Sequence, residues 1–171
     1  MRLLFNMDKK DYDINGKAYV RPSARCIVIR DGKVAVVHSS KYDYYKFPGG
    51  GIEEGETPAS AAIREAGEEA GLVIIPETMK EYGMVHRIEK YNKRGCDLLI
   101  QENYYYICDA LPERVEPAYE ENEIEEGFTF EFADSDYVID VNRNRNHGPT
   151  DQNMLEREAA VLDFLKSEAY L

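Results

Sequence analysis

The residues best suited to chemistry crowd into one segment, Gly50 to Leu72, which reads GGIEEGETPASAAIREAGEEAGL. On a helical wheel of about 100° per residue with Glu65 at zero, Glu68 falls near roughly 300° and Glu69 near roughly 40°. Three carboxylates therefore share one helix face. Ala59, Ala62, Ile63, Ala66 and Ala70 fall at about 60–160° and form a separate face of small residues, which lets the helix lie close to a sheet. The acidic face is costly, because like charges at helical neighbours repel by a few tenths of a kcal/mol per pair. Arg64 offsets part of this by reaching Glu68, four residues on. A hard divalent cation, Mg²⁺ or Mn²⁺, offsets more, since it takes oxygen ligands and tolerates several carboxylates.

Taken alone, RExxEE fits a solvated acidic helix face better than a metal site. The surrounding spacing separates the two readings. Gly50 precedes Glu56 by six residues, Glu56 precedes Arg64 by eight, and Gly71 and Leu72 close the pattern.

The elements that must hold these residues can be read around them. FPGGGIEEGE is a glycine-rich loop. Thr57 is an N-cap, Pro58 suits the first helical position and Gly71 the exit, so the spacing predicts a helix over 58–70. ARCIVIR and KVAVVHS are β-branched runs joined by Asp31-Gly32, a hairpin signal. Asn15-Gly16 signals another hairpin within residues 1–20. LVII is a short strand, and EYGMVHRIEKY and DLLIQENYYYICDA form a longer hairpin. Residues 112–127 read as an acidic loop, FTFEFAD as a strand and NRNRNHGPTD as a polar loop. Thr150 or Asp151 caps a final amphipathic helix over 150–171, with Leu155, Ala159, Leu162 and Leu165 on one face. The expected architecture is α/β, a mixed β-sheet sandwiched between α-helices, in a single domain over 1–171.

The chain has 171 residues, 21 basic and 33 acidic, for a net charge of −12. That surplus of carboxylates argues against coating a nucleic-acid polymer, which needs excess Lys and Arg. It argues equally against docking on an anionic membrane. It leaves room for a small phosphorylated ligand where something cationic faces it. Cys26, Cys96 and Cys108 form no CxxC and read as reduced thiols, and the start MRLLFNMDKK lacks the apolar run of a signal peptide. The expected location is cytoplasmic.

The segment Gly50, Glu56, Arg64, Glu65, Ala66, Glu68, Glu69, Gly71, Leu72 resembles the Nudix box, G-x5-E-x7-R-E-U-x-E-E-x-G-U, with U apolar. No fixed position is missing; Ala66 is smaller than the usual Leu, Ile or Val. The resemblance implies the Nudix (MutT-like) fold and a pyrophosphohydrolase that cleaves a nucleoside diphosphate linked to another group. It implies Mg²⁺ or Mn²⁺ held by Glu65, Glu68 and Glu69, with the Gly50 carbonyl as a further ligand. It makes Arg64 the residue that orients Glu68 or Glu69. Glu56 and Gly71 become structural members of the box, and Arg25 and Gly51 candidate substrate contacts. A late acid before the last core strand is also implied. Glu126, followed by Gly127 and the aromatic strand start, is the first candidate, with Glu125 and Glu123 next.

The partner implied is a small-molecule nucleotide. Tyr42, Tyr44, Tyr45, Phe47 and Tyr104–Tyr106 are aromatics for a base, and Asn142–His147 a loop suited to a nucleotide. The first twenty residues are the candidate surface for a homodimer contact. The competing reading is a non-catalytic Nudix-fold module that senses a nucleotide. The intact carboxylates count against it, because a pure binder has no need of a repulsive cluster.

Overall fold

The computed structural model describes residues 1–171. The chain runs β1 (Leu3–Asp8), β2 (Ala18–Val20), β3 (Ser23–Ile27), β4 (Ile29–Arg30), β5 (Lys33–Ser39), β6 (Tyr44–Lys46), β7 (Gly49–Gly51), α1 (Pro58–Ala70), β8 (Leu72–Ile74), β9 (Lys80–Lys90), β10 (Leu98–Ile107), β11 (Ala110–Arg114), α2 (Glu121–Glu126), β12 (Phe128–Ala133), α3 (Ser135–Asn144) and α4 (Gln152–Ser167). The fold is the mixed α/β arrangement that the pattern of elements predicts.

A six-stranded mixed sheet has the order β1-β9-β10-β3-β7, with β2 beside β3 along β10. A four-stranded antiparallel sheet has β5 at its centre, between β12 and the pair β4 and β6. Alternation along the strands sends successive side chains to opposite faces. Ala24, Cys26, Val28, Ala35 and Val37 join the α1 alanines in one buried cluster. Ile27, Val34 and Val36 join Val138 and Val141 of α3 and Val161, Leu162 and Leu165 of α4 in another. Helices therefore cover both faces of the sheet layer. Leu155, Ala159, Leu162 and Leu165 are 0–1% exposed, which follows from their common helical face.

Helix α1 starts and stops where its sequence dictates. Thr57 accepts from Ser60 N at 3.1 Å, and Ser60 Oγ accepts from Thr57 N at 3.0 Å, a reciprocal cap. Gly71 ends the helix at φ 62°, and an added Cβ there would lie 2.1 Å from Val115 O, so glycine is required twice over.

Three predicted features differ. Residues 1–20 form no hairpin, although the turn at Asp13–Gly16 is present, with Gly16 N donating to Asp13 O. Instead β1 pairs in parallel with β9 and β2 in parallel with β10. The two strands thus flank the β9–β10 hairpin on its opposite edges, where their backbone groups find ladder partners. The acidic stretch 112–127 is not all loop, since it contributes to β11, antiparallel to β8, and folds into α2. The polar loop predicted from 142 begins three residues later, because 142–144 are the end of α3, a helix capped by Asp134. Asn142 is buried and bridges Tyr45 N and O at 2.9 and 2.8 Å, and His147 meets Tyr42 O and Val141 O. Both are structural, and neither reaches a ligand cleft. Tyr44, Tyr45, Phe47 and Tyr105 are likewise in the core. No helix is long and apolar enough to cross a membrane.

Candidate active site

The close approach of β7 to α1 fixes the geometry. β7 pairs with β3, setting Gly50 opposite Ala24. The box helix lies so near that a Cβ on Gly50 would sit 2.5 Å from Glu65 Oε1. A larger residue there would displace the Glu65 carboxylate from this position.

Arg64 is the hub of the exposed rim. Its Nε and Nη2 grip Glu56 bidentately at 2.8 and 3.0 Å. Its Nη1 donates to Glu65 at 2.9 Å and Glu68 at 2.8 Å, and its Nη2 also reaches Gly51 O at 3.0 Å. Glu56 further accepts from Glu53 N at 2.9 Å, so it ties the loop to the helix. Arg64, with that backbone donor, holds the Glu56 carboxyl down to about 2.

Glu69 is oriented by other groups than Arg64. It is 2% exposed, pairs with the Lys46 ammonium and accepts from Gly49 N at 2.9 Å. Lys46 was not singled out in the sequence. Its signal is the alternation in Tyr44-Tyr45-Lys46, where a lysine takes a position facing the box helix.

The expected late acid, Glu126, lies apart from the box cavity. Glu126 does not join the cluster, because its carboxylate accepts from Tyr44 Oη at 2.7 Å and Ser39 Oγ at 3.2 Å. Glu123, one helical turn earlier, takes the inward place. It is 7% exposed, accepts from Glu120 N at 2.8 Å and faces Glu69 across the same small cavity. Together with Glu65, Glu68, Glu69 and Arg64, it lines a cavity of about 120 Å³.

Burial and the neighbouring Glu69 push the Glu123 carboxyl up to about 7, and the same two causes raise Glu65. Two carboxyls pushed up by crowding mark a site short of positive charge. As placed, no three acids converge in ligating geometry, since Arg64 and Lys46 each turn carboxylates toward themselves. The donor chemistry nonetheless fits a hard divalent ion: glutamate oxygens with a glycine backbone alongside.

A stability test follows from these shifts. The unfolded Glu123 deprotonates near 4.5 and the folded one near 7. Protein freed of divalent ions should therefore lose stability as pH rises from about 4.5 to 7, by about 1–2 kcal/mol or roughly 3–6 °C in Tm. Glu123→Gln should flatten that decline. Melting curves in EDTA at pH 5 and pH 8 check it; a decline unchanged in the variant contradicts it.

A second cavity, of about 280 Å³, lies on the other side of the glycine strand. Arg25 and Gly51, the two candidate substrate contacts, both line it, as do Arg21, Lys46, Gly49 and Gly50. Arg25 is 6% exposed, donates to Ser23 Oγ at 2.7 Å and stands 3.3 Å from Glu158 Oε1. Glu158 is also gripped by Arg157 at 2.8 and 3.0 Å and accepts from Phe47 N at 2.8 Å. Gly50 therefore sits on the wall between an acidic cavity and a cationic one, and Lys46 lines the second while bonding to Glu69.

A NUDIX domain model matches residues 20–150 of this chain. The chain is 31% identical over 99 residues to an RNA pyrophosphohydrolase of Halorhodospira halophila, covering 53% of this chain and 54% of that protein. It is 40% identical over 67 residues to human diphosphoinositol polyphosphate phosphohydrolase 2, covering 37% and 36%. The matches thus span about half or less of these relatives' own lengths. Among solved structures, a NUDIX hydrolase from Nitrosomonas europaea superposes with a TM-score of 0.52 at 16% identity, covering 84% of this chain and 90% of that one. That likeness speaks for the fold.

Proposed function

Because this chain belongs to the NUDIX family, we propose that it is a metal-dependent hydrolase of a pyrophosphate linkage in a nucleoside diphosphate joined to another group. The observation that carries this reading is the box acids Glu65, Glu68 and Glu69 gathered with Glu123 of α2 in one cavity, with a cationic cavity across the glycine strand. Glu65, Glu68 and Glu69 would hold the ion, Mg²⁺ or Mn²⁺, with the Gly50 carbonyl and with Glu123 in the place expected of Glu126. Lewis-acid polarisation of the phosphoryl oxygens and relief of carboxylate repulsion are what the ion supplies when bound.

The protein's own part is orientation, charge and one proton. Arg64 fixes Glu65 and Glu68 on one side, while Lys46 and Gly49 N–H fix Glu69 on the other. Water attacks one phosphorus, the P–O bond to the bridging oxygen breaks, and the leaving phosphate keeps that oxygen. A carboxylate oxygen of the cluster accepts the water's proton. Arg25 and Gly51 meet the substrate from the cationic side.

The test is a panel of nucleoside di- and triphosphates, dinucleotides and nucleotide sugars with Mg²⁺ or Mn²⁺, read as released phosphate or pyrophosphate. Turnover supports the hydrolase. Binding without turnover across the panel selects the nucleotide-sensing module instead.

Arg64 gives a sharper prediction. Arg64→Lys keeps the charge but loses the planar fork that spans Glu56, Glu65 and Glu68. It should lower kcat by about 10–100-fold, as for residues that orient ligands, with KM nearly unchanged. A large rise in KM with kcat retained would place Arg64 on the substrate.

A further inference from the structure

Two cations pair with the box acids, and they are held very differently. Arg64 makes five hydrogen bonds, to Glu56, Glu65, Glu68 and Gly51 O, that lock its guanidinium into the junction of loop and helix. Lys46 makes one, to Glu69 Oε1. Its ammonium otherwise rests over the Phe128 ring, 4.9 Å from the centroid, a weak hold.

They also approach from different sides. Arg64 lines the box cavity with Glu65, Glu68, Glu69 and Glu123. Lys46 lines the cavity across the glycine strand, and from there its ammonium reaches over to Glu69. The backbone beneath it is pinned at alternate amides by side chains of three helices. Asn142 of α3 accepts from Tyr45 N at 2.9 Å, Glu158 of α4 from Phe47 N at 2.8 Å and Glu69 of α1 from Gly49 N at 2.9 Å. What remains free to move is the Lys46 side chain, a flexible four-carbon stem with a compact charge at its tip. Glu69 offers its two oxygens unequally: Oε2 takes the Gly49 amide, and Oε1 takes the ammonium alone. Oε1 is thus the oxygen open to a hard cation, and an ammonium fixed there repels any dication brought to it.

We infer that Lys46 is a tethered counter-cation of Glu69 that a divalent ion must displace, so that this lysine sets the ion concentration at which the box carboxylates load. Its single bond makes it the cation that can leave, whereas Arg64 stays in its web of five. The cavity of about 280 Å³ that its stem already lines gives the released ammonium a place to go. Gly49 N–H keeps hold of Oε2 when the ammonium moves, so Glu69 stays aimed while Oε1 is freed. Until then the ammonium neutralises the most buried acid of the cluster, which is 2% exposed and lies in one cavity with Glu65 and Glu123. The inference rests on the metal-dependent reading for the role of the ion, while the competition itself is independent of turnover.

The experiment measures Mn²⁺ binding to the protein without nucleotide, from the EPR signal of the free ion. Lys46→Met keeps an apolar stem and removes the charge. It should lower the Mn²⁺ Kd by about tenfold or more, because the dication then meets no fixed ammonium at Glu69. Lys46→Gln makes the same charge change with a donor left for Glu69, and should tighten binding in the same direction even where the methionine variant fails to fold. Lys46→Arg keeps the charge and should bind Mn²⁺ no more tightly than the wild type. Lys33→Met, the same charge loss at the exposed first residue of β5, should leave the Kd unchanged. A lysine that served only to orient Glu69 would give the opposite sign, weaker binding in the neutral variants. That result, or an unchanged Kd, overturns the inference. Equal tightening in Lys33→Met overturns it too, since the effect would then be one of net charge. Tighter Mn²⁺ binding in a protein that hydrolyses nothing supports the counter-cation and rejects the hydrolase. Mn²⁺ that binds neither the wild type nor the variants overturns the metal-dependent reading and the inference with it.

Discussion

Glu69→Gln should reduce turnover by about 10³-fold, beyond the roughly 10–100-fold loss typical of residues that only orient a ligand. The substitution keeps the size of the side chain and an oxygen for Gly49 N–H, so the local backbone bond survives. What is lost is one negative charge from the most buried acid of the cluster, at 2% exposure. A carboxamide oxygen holds a divalent ion more weakly than a carboxylate and takes no proton from water. Folding should persist, with two opposing effects on stability. Repulsion with Glu65 and Glu123 is relieved, while Lys46, with a 12% exposed side chain, loses its counter-charge. Near-normal kcat at saturating Mg²⁺ would remove Glu69 from the site.

The second large effect separates two acids three residues apart. Glu123→Gln should lower kcat by about 10²-fold and raise the Mg²⁺ concentration needed for half-maximal rate. Glu126→Gln should do little, since a glutamine oxygen still accepts from Tyr44 Oη and Ser39 Oγ and no charge is withdrawn from the box cavity. Glu116→Gln, on the exposed stretch before α2, should be indistinguishable from wild type. The comparison is a set of Mg²⁺ titrations of rate. If Glu126→Gln shifts the titration and Glu123→Gln does not, the assignment is reversed.

These two predictions mark where local sequence runs out. Helix α1, its caps, its alanine face and the crowding of Glu65, Glu68 and Glu69 are all set within twenty-odd neighbouring residues, so spacing alone conveys them. The Asp31-Gly32 hairpin and the face of α4 are local in the same way. The partners that finish the site come from elsewhere. Lys46 reaches Glu69 across 23 positions, and Arg25 reaches Glu158 across more than a hundred, through packing of strands on helices that no short pattern encodes. Residues 1–20 misled because their turn is real while their strands pair with β9 and β10, some eighty residues on. Helix α2 hid because ENEIEE has almost no apolar periodicity, and without that helix the sequence could not show that Glu123 turns inward while Glu126 turns to Tyr44 and Ser39. Helix α3 hid because DYVIDV reads as strand-like, although Asp134 caps it with bonds to Asp136 N and Tyr137 N.

The account stands on a divalent ion at the box carboxylates driving hydrolysis of a pyrophosphate linkage. The most direct measurement follows phosphate or pyrophosphate release by ³¹P NMR from the nucleotide panel, first with protein stripped by EDTA and then as Mn²⁺ is returned. The prediction is no release without the ion and a saturable return of turnover on at least one substrate as it is added. Release that is unchanged in EDTA, or no release from any member of the panel at saturating Mn²⁺ or Mg²⁺, would contradict it.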